Sequence, residues 1–193
     1  KGMKHLVVIT LGTGLGSGFI VDGNLHVGRN GMAGEIGHTV AVRGGRQCRC
    51  GLKGCLEQYV SVTGIRRNVE DLLMVKGKES VLKGQSFEEI TGKKVSEAAQ
   101  MKDQVALDAF EFTGQMLGEG LADVVAYFNP EAIFLTGGLA KAGDFILNPT
   151  RHHLKKNLLH IYEDRVQVLI SELVDKEGAV LGAAALGWKG IEQ

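Results

Sequence analysis

The chain has 193 residues, 44% of them hydrophobic, and its 22 Lys plus Arg balance 22 Asp plus Glu. That length and apolar share give a globular chain able to bury a full core, while zero net charge excludes a global field that would draw nucleic acid, an anionic membrane or an acidic substrate. No apolar run nears the ~20 residues of a membrane span, and the first ten residues lack the basic, apolar and small-residue regions of a signal peptide, so a cytoplasmic protein is expected.

In chain order, Leu6 to Leu11 (LVVITL) is a buried-type strand with almost nothing before it to shield its edge, so the chain reads as part of something longer. The stretch TLGTGLGSG joins it to FIV, and Asp22-Gly23 is a favoured hairpin turn into NLHVG, which together predict an antiparallel meander. Val62, Ile65, Val69 and Leu72 fall at helical spacing and predict one helix from Leu56 to about Lys76, ended by Gly77. Residues 76–94 are polar and glycine-punctuated and read as loop, with a helical turn at SFEEI. From Asp103 to Phe128 the series Ala106, Phe110, Thr113, Leu117, Leu121, Val124 and Phe128 keeps a 3.6 period, with Asp103 as cap and Asn129-Pro130 as stop. Gly114, Gly118 and Gly120 would each cost this helix ~1 kcal/mol relative to alanine, so close packing against another element is expected there. AIFLT is a short apolar strand running into Gly137-Gly138, and a helix follows near Asp144 to Asn157. RVQVLIS is the last strand, and GAVLGAAALGW closes the chain as a small-residue helix. A meander followed by strand-helix alternation predicts an α/β domain with a mixed sheet.

All three cysteines lie within eight residues of the segment GEIGHTVAVRGGRQCRCGLKGCLE at 34–57. Such crowding leaves no long loop for a disulfide to close. His38, Cys48, Cys50 and Cys55 give the spacing H-x9-C-x-C-x4-C, the donor set of a closed tetrahedral zinc site, although the C-x-C gap is tighter than usual. Three free thiols serving as small buried hydrophobes are the alternative. Arg46 and Arg49 are placed to help hold thiolates deprotonated. A clamp here would tie the meander to the start of the next helix and fix Glu35 and Glu57, which lie at those two points. Two carboxylates and an imidazole held rigidly accept hydrogen bonds from neighbouring hydroxyls, as in a polyol or sugar site. The plainer alternatives are an acid complementing a helix dipole for Glu57 and surface solvation for Glu35.

Glycines at 12, 14, 16 and 18 allow backbone amides to converge on an anion, with the Thr13 hydroxyl as a further donor, and a phosphate would fit. A plain tight turn is an equal alternative. TGGL at 136–139 lies at a strand end before a helix, where a nucleotide could rest against bare backbone. The basic stretch RHHLKKN at 151–157 reads as a solvated helix face rather than a DNA contact.

Together these residues resemble the ROK family of repressors, open-reading-frame products and sugar kinases, within the actin-like, hexokinase-like ATPase superfamily. GEIGH followed by CRCGLKGCLE carries most of the resemblance, which covers essentially the whole chain. It implies a ribonuclease H-like, actin-like ATPase lobe with a mixed sheet flanked by helices and a zinc-binding loop, residues 1–193 forming the carboxy-terminal lobe. It implies His38, Cys48, Cys50 and Cys55 as ligands of a structural zinc. Glu35, His38 and Glu57 are implied as sugar ligands, His38 serving zinc and sugar through opposite faces of its ring. LGTG, with Gly12, Thr13 and Gly14, resembles the second phosphate loop of the superfamily, and LTGGL, with Gly137, Gly138 and Leu139, its adenosine motif. The first phosphate loop, of Asp-x-Gly-x-Thr type, and the aspartate that acts as general base are absent and expected upstream of residue 1, so the chain alone is expected to be inactive. Asp22 and Asp103 are not substitutes for that base. The implied function is an ATP- and magnesium-dependent hexose kinase, with a sugar-sensing repressor or a non-catalytic sugar-binding domain as alternatives. A homo-oligomer, dimer or tetramer, is expected, with the glycine-bearing long helix as contact surface and neither nucleic acid nor membrane as partner.

Overall fold

The computed structural model describes residues 2–75, 77–174 and 178–191. Strand β1 (Leu6–Leu11) alternates buried Val7, Ile9 and Leu11 with more exposed neighbours and lies at the centre of a five-stranded sheet. It pairs antiparallel with β2 (Leu15–Val21), which pairs antiparallel with the two-residue β3 (Asn24–Leu25). On its other side β1 runs parallel to β4 (Ala132–Thr136), and β4 parallel to β5 (Gln167–Ile170). The order β3-β2-β1-β4-β5 is therefore mixed, as the meander and the later alternation predict. Asp22 and Gly23 take positive φ of 51° and 77°, which fits the expected two-residue hairpin turn. The strand expected over NLHVG stops at Leu25, with His26 adding one further bond to Phe19 O.

The helix expected from Leu56 to Lys76 is two helices, α1 (Glu57–Val60) and α2 (Val62–Leu73). Its predicted end at Lys76 lies outside the described residues. Ser61 is the break: its backbone is extended and its Oγ accepts the Gly64 amide at 3.0 Å, capping α2. The Val62 amide, freed at the helix start, donates instead to Gly12 O at 2.8 Å. Helix α3 (Gly92–Gln100) occupies a region read partly as loop. Thr91 caps it through the Lys94 amide, and Val95, Ala98 and Ala99 form its buried face. SFEEI forms the expected single turn before it, with the Ile90 amide donating to Ser86 O at 3.1 Å.

Helix α4 (Gln104–Phe128) is capped by Asp103 through the Ala106 amide and ends at Asn129 in the left-handed region, as expected. Its glycines let α5 (Asp144–Asn157) come to backbone contact. A β-carbon at Gly118 would lie 2.6 Å from Leu154 N and 2.7 Å from Thr150 O, and one at Gly114 would lie 2.6 Å from Pro149. Gly120 faces only the Leu56 side chain, 2.8 Å away. The glycine-bearing face of the long helix thus packs within the chain, while Phe112 and Tyr127 of the same helix are exposed. In α5, Arg151 Nε and Nη2 donate to Val168 O at 2.9 and 2.6 Å, and His153 Nε2 lies 2.8 Å from Glu111, so part of the basic stretch serves the fold. Helix α6 (Gly178–Ile191) ends the described chain. No helix among the described residues is long and apolar enough to cross a membrane.

Gly118→Ala raises helix propensity by ~1 kcal/mol yet forces backbone against backbone, a clash that typically costs about 1–3 kcal/mol. A net loss of stability is expected for Gly118→Ala, larger than for Gly120→Ala, where a leucine side chain can yield. Urea unfolding of the two variants checks the order.

Candidate functional site

Residues 34–56 double back on themselves. Ala41 and Val42 amides share Gly54 O at 2.9 and 3.0 Å, Gly54 N reaches Arg46 O at 2.8 Å, and Leu56 N reaches Thr39 O at 2.9 Å. Gly54 requires its glycine twice over, by its φ of +81° and because a side chain would meet the Val42 carbonyl. This folding brings His38, Cys48, Cys50 and Cys55 together, their ligand atoms all within 4.8 Å of one another. The separations suit four donors at ~2.0–2.3 Å from one tetrahedral zinc, so the cluster fits the ion the spacing implies. His38 Nδ1 faces Cys48 Sγ at 3.6 Å, and its Nε2 lies 3.9 Å from Glu35 Oε2. One ring therefore addresses the sulfurs from one nitrogen and a carboxylate from the other.

Burial opposes ionisation of Cys48, but hydrogen bonds from the Cys50 amide and from Cys50, Cys55 and His38 outweigh it and bring the thiol down to about 7. Cys55 goes the other way, pushed up to about 12 by burial and then by Cys50 and Cys48. Only a cation lets such neighbours ionise together. Arg46 does not assist them. Its guanidinium donates to Gln58 O at 2.8 Å, to the buried Asn68 Oδ1 at 2.7 Å and to Asp71 at 2.5 Å, and lies 4.7 Å from the Tyr59 ring centre. It anchors the loop to α2, and Asn68 carries the link on to Thr113 of α4 at 2.8 Å.

The glycine stretch is smaller than its sequence suggests. Only Gly12, Thr13 and Gly14 form the turn, because Gly16 and Gly18 lie within β2 opposite Thr10 and Val8. The Gly12 amide is taken by Gly14 O at 3.0 Å, and the Thr13 carbonyl accepts from Thr63 Oγ1 at 2.9 Å. Gly137, with φ +89°, sits directly on Leu11, its missing β-carbon 2.7 Å from Leu11 O. The 12–14 turn and Gly137-Gly138 are thus side by side, at the carboxyl ends of the parallel strands β1 and β4, where open α/β sheets bind ligands. Beyond them lies a cavity of about 580 Å³ lined by Val62, Gly138, Lys141 and the α3 residues Lys93, Ser96 and Gln100. Leu139 is buried behind it, in a 3-10 turn over Leu139–Ala142.

Glu57 joins the two halves. Its carboxylate accepts the Leu15 amide at 3.0 Å, and Gly37 packs against Leu15 O, so the 34–38 segment, β2 and α1 meet at one residue. The fold brings His38 and the three cysteines together and sets Glu57 against the exit of the Gly12–Gly14 turn; the roles of Gln58, of Arg46 as an anchor and of α3 were not expected. The i, i+3, i+4 face of Val95, Ala98 and Ala99 after Thr91 was the available signal for α3; Gln58 had none.

This mixed sheet with its flanking helices has the actin-like ATPase fold. More narrowly, the chain belongs to the ROK family, whose description residues 1–189 match. It is 39% identical over 189 residues to a glucokinase of Halalkalibacterium halodurans, covering 97% of this chain and 56% of that protein. It is 31% identical over 180 residues to the Escherichia coli transcriptional regulator NagC, covering 93% of this chain and 43% of that protein. Among solved structures, a ROK glucokinase from Streptomyces griseus, in complex with glucose and AMPPNP, superposes with a TM-score of 0.87 at 37% identity, covering 96% of this chain and 61% of that one. The chain thus spans little more than half the length of the glucokinases it matches.

Protein purified without chelator is expected to carry about one metal ion per chain, and Cys55→Ser to lose it. Affinity should weaken as pH falls through about 7, where Cys48 regains its proton. Competition against a chromophoric chelator between about pH 6 and 8 tests the sign, and a flat profile would exclude these ligands.

Proposed function

We propose that this chain is the carboxy-terminal lobe of an ATP-dependent hexose kinase, supplying the sugar ligands, a structural zinc site and part of the ATP site. The observation that carries this reading is the junction at Leu15, where Glu57 from the cysteine loop meets the Gly12–Gly14 turn. It sets hydroxyl acceptors beside a turn suited to phosphate, as transfer between the two substrates requires. The likeness to a glucokinase bound to glucose and AMPPNP supports the substrate pair. Three unpaired cysteines suit a reducing, cytoplasmic compartment.

In this reading Glu35 and Glu57 accept hydrogen bonds from hexose hydroxyls, His38, with Nδ1 turned to the cysteine cluster, donates its Nε2–H to one, and together they orient the attacking hydroxyl. His38, Cys48, Cys50 and Cys55 would hold a zinc ion with four protein donors, and it would then supply rigidity to the loop rather than Lewis-acid chemistry. The Thr13 hydroxyl and the Thr13 and Gly14 amides hold phosphate oxygens, the Gly12 amide being taken by Gly14 O, and Gly137, Gly138 and Leu139 offer bare backbone to the adenosine beside the cavity at α3. Magnesium enters with ATP as part of the substrate. The hydroxyl proton passes to an aspartate outside this chain, the new O–P bond forms at the γ-phosphorus, and its bond to the bridging oxygen breaks to release ADP. The relation to NagC favours a second reading, a sugar-responsive regulator using the same hexose ligands without turnover.

A coupled assay of ADP release by the full-length protein across several hexoses is expected to show turnover. Glu57→Gln should raise hexose KM roughly ten- to hundredfold, the range for a lost charge-assisted hydrogen bond. Hexose binding without ADP release would favour the regulator, and an unchanged KM would remove Glu57 from the sugar site. The 193-residue chain alone should bind hexose without turning it over.

A further inference from the structure

An acidic residue opening a helix is ordinarily explained by the helix dipole. Glu57 has more specific partners. One carboxylate oxygen holds the Leu15 amide at 3.0 Å, at the exit of the Gly12–Gly14 turn. The other lies 3.3 Å from Gln58 Nε2, which also reaches Cys48 Sγ at 3.4 Å. Gln58 is buried, and its side-chain oxygen accepts from Arg67 Nη1, which orients the amide so that its two hydrogens face the sulfur and the carboxylate. A continuous series therefore runs from the cysteine cluster through Gln58 and Glu57 to the turn.

Gly14 fits the same arrangement. A β-carbon there would collide with Glu57 Oε2 and come within 3.2 Å of its Cδ, while meeting no backbone, and the Gly14 φ is not in the left-handed region. Glycine at 14 thus leaves room for a carboxylate rather than for a turn. Alanine would displace Glu57 and little else.

We propose that Glu57 is a positioning residue for the nucleotide turn as well as a sugar ligand, so that hexose and nucleotide binding are energetically coupled through its carboxylate. This rests on Glu57 being a hexose ligand. The carboxylate already holds Leu15 and Gln58, and a hexose hydroxyl held by Glu57 adds a further partner that favours this same rotamer over any that would release the turn. By linkage, nucleotide tightens hexose to the same extent.

The test measures AMPPNP affinity with and without hexose, and hexose affinity with and without AMPPNP, in the full-length protein. Wild type, Glu57→Gln, Gly14→Ala and the double variant are compared. Hexose should tighten AMPPNP binding about 5- to 150-fold in wild type. Gly14→Ala, although on the nucleotide side, should weaken hexose binding about tenfold and abolish the coupling, and the two substitutions should be non-additive. Intact coupling in Gly14→Ala, with Glu57→Gln still weakening hexose, overturns the proposal and leaves the sugar site standing. No effect of Glu57→Gln on hexose overturns both. If Gly14→Ala fails to fold, Glu57→Asp carries the test: it keeps the charge but withdraws it from Leu15, so retained coupling overturns the proposal.

Discussion

Residues 34–56 are glycine-rich and polar, and little of the segment is buried, so it cannot hold a shape by hydrophobic packing. Its form depends on the convergence of His38, Cys48, Cys50 and Cys55 on one point, supported by backbone bonds around Gly54 and by the Arg46 anchor. Everything nearby is registered to that point. Glu35 is placed through His38, Glu57 follows Cys55 by two residues, and α1 begins where the cluster ends. The same convergence moves two of the thiols in opposite directions, Cys48 down to about 7 and Cys55 up to about 12.

The sheet supplies the second half. Parallel pairing of β1 with β4 aligns Thr10 with Thr136, so the turns that follow must lie side by side. Gly137 can then press onto Leu11 because it has no side chain. The break at Ser61 aims the start of α2 at the same place, through Val62 N to Gly12 O and Thr63 to Thr13 O. An unbroken helix would have kept the Val62 amide for itself. The helix-breaking serine therefore makes the contact that steadies the turn.

Much of this was legible in the residues. Strong periodicity gave α4 and its Asp103 cap, the apolar runs gave β1 and β4, and Asp22-Gly23 gave its turn, because each rests on contacts between near neighbours. The donor set was legible because three thiols and an imidazole at close spacing have few other uses. Less legible were Ser61, whose effect needs a distant carbonyl, and Arg46, whose charge suggested thiolates but whose geometry serves Asn68 and Asp71. The glycines of α4 read as a packing face, yet only the fold shows that α5 fills it.

By itself the sequence determined the mixed α/β architecture and the grouping of one histidine with three cysteines able to hold a metal, since local propensity and donor chemistry depend on residue type and spacing. Only the tertiary structure decided that Gly16 and Gly18 belong to a strand, that α3 walls the cavity beside Gly138, and that Glu57 holds the Leu15 amide. Those facts depend on which distant segments meet, and strand pairing and burial fix that for the whole chain at once.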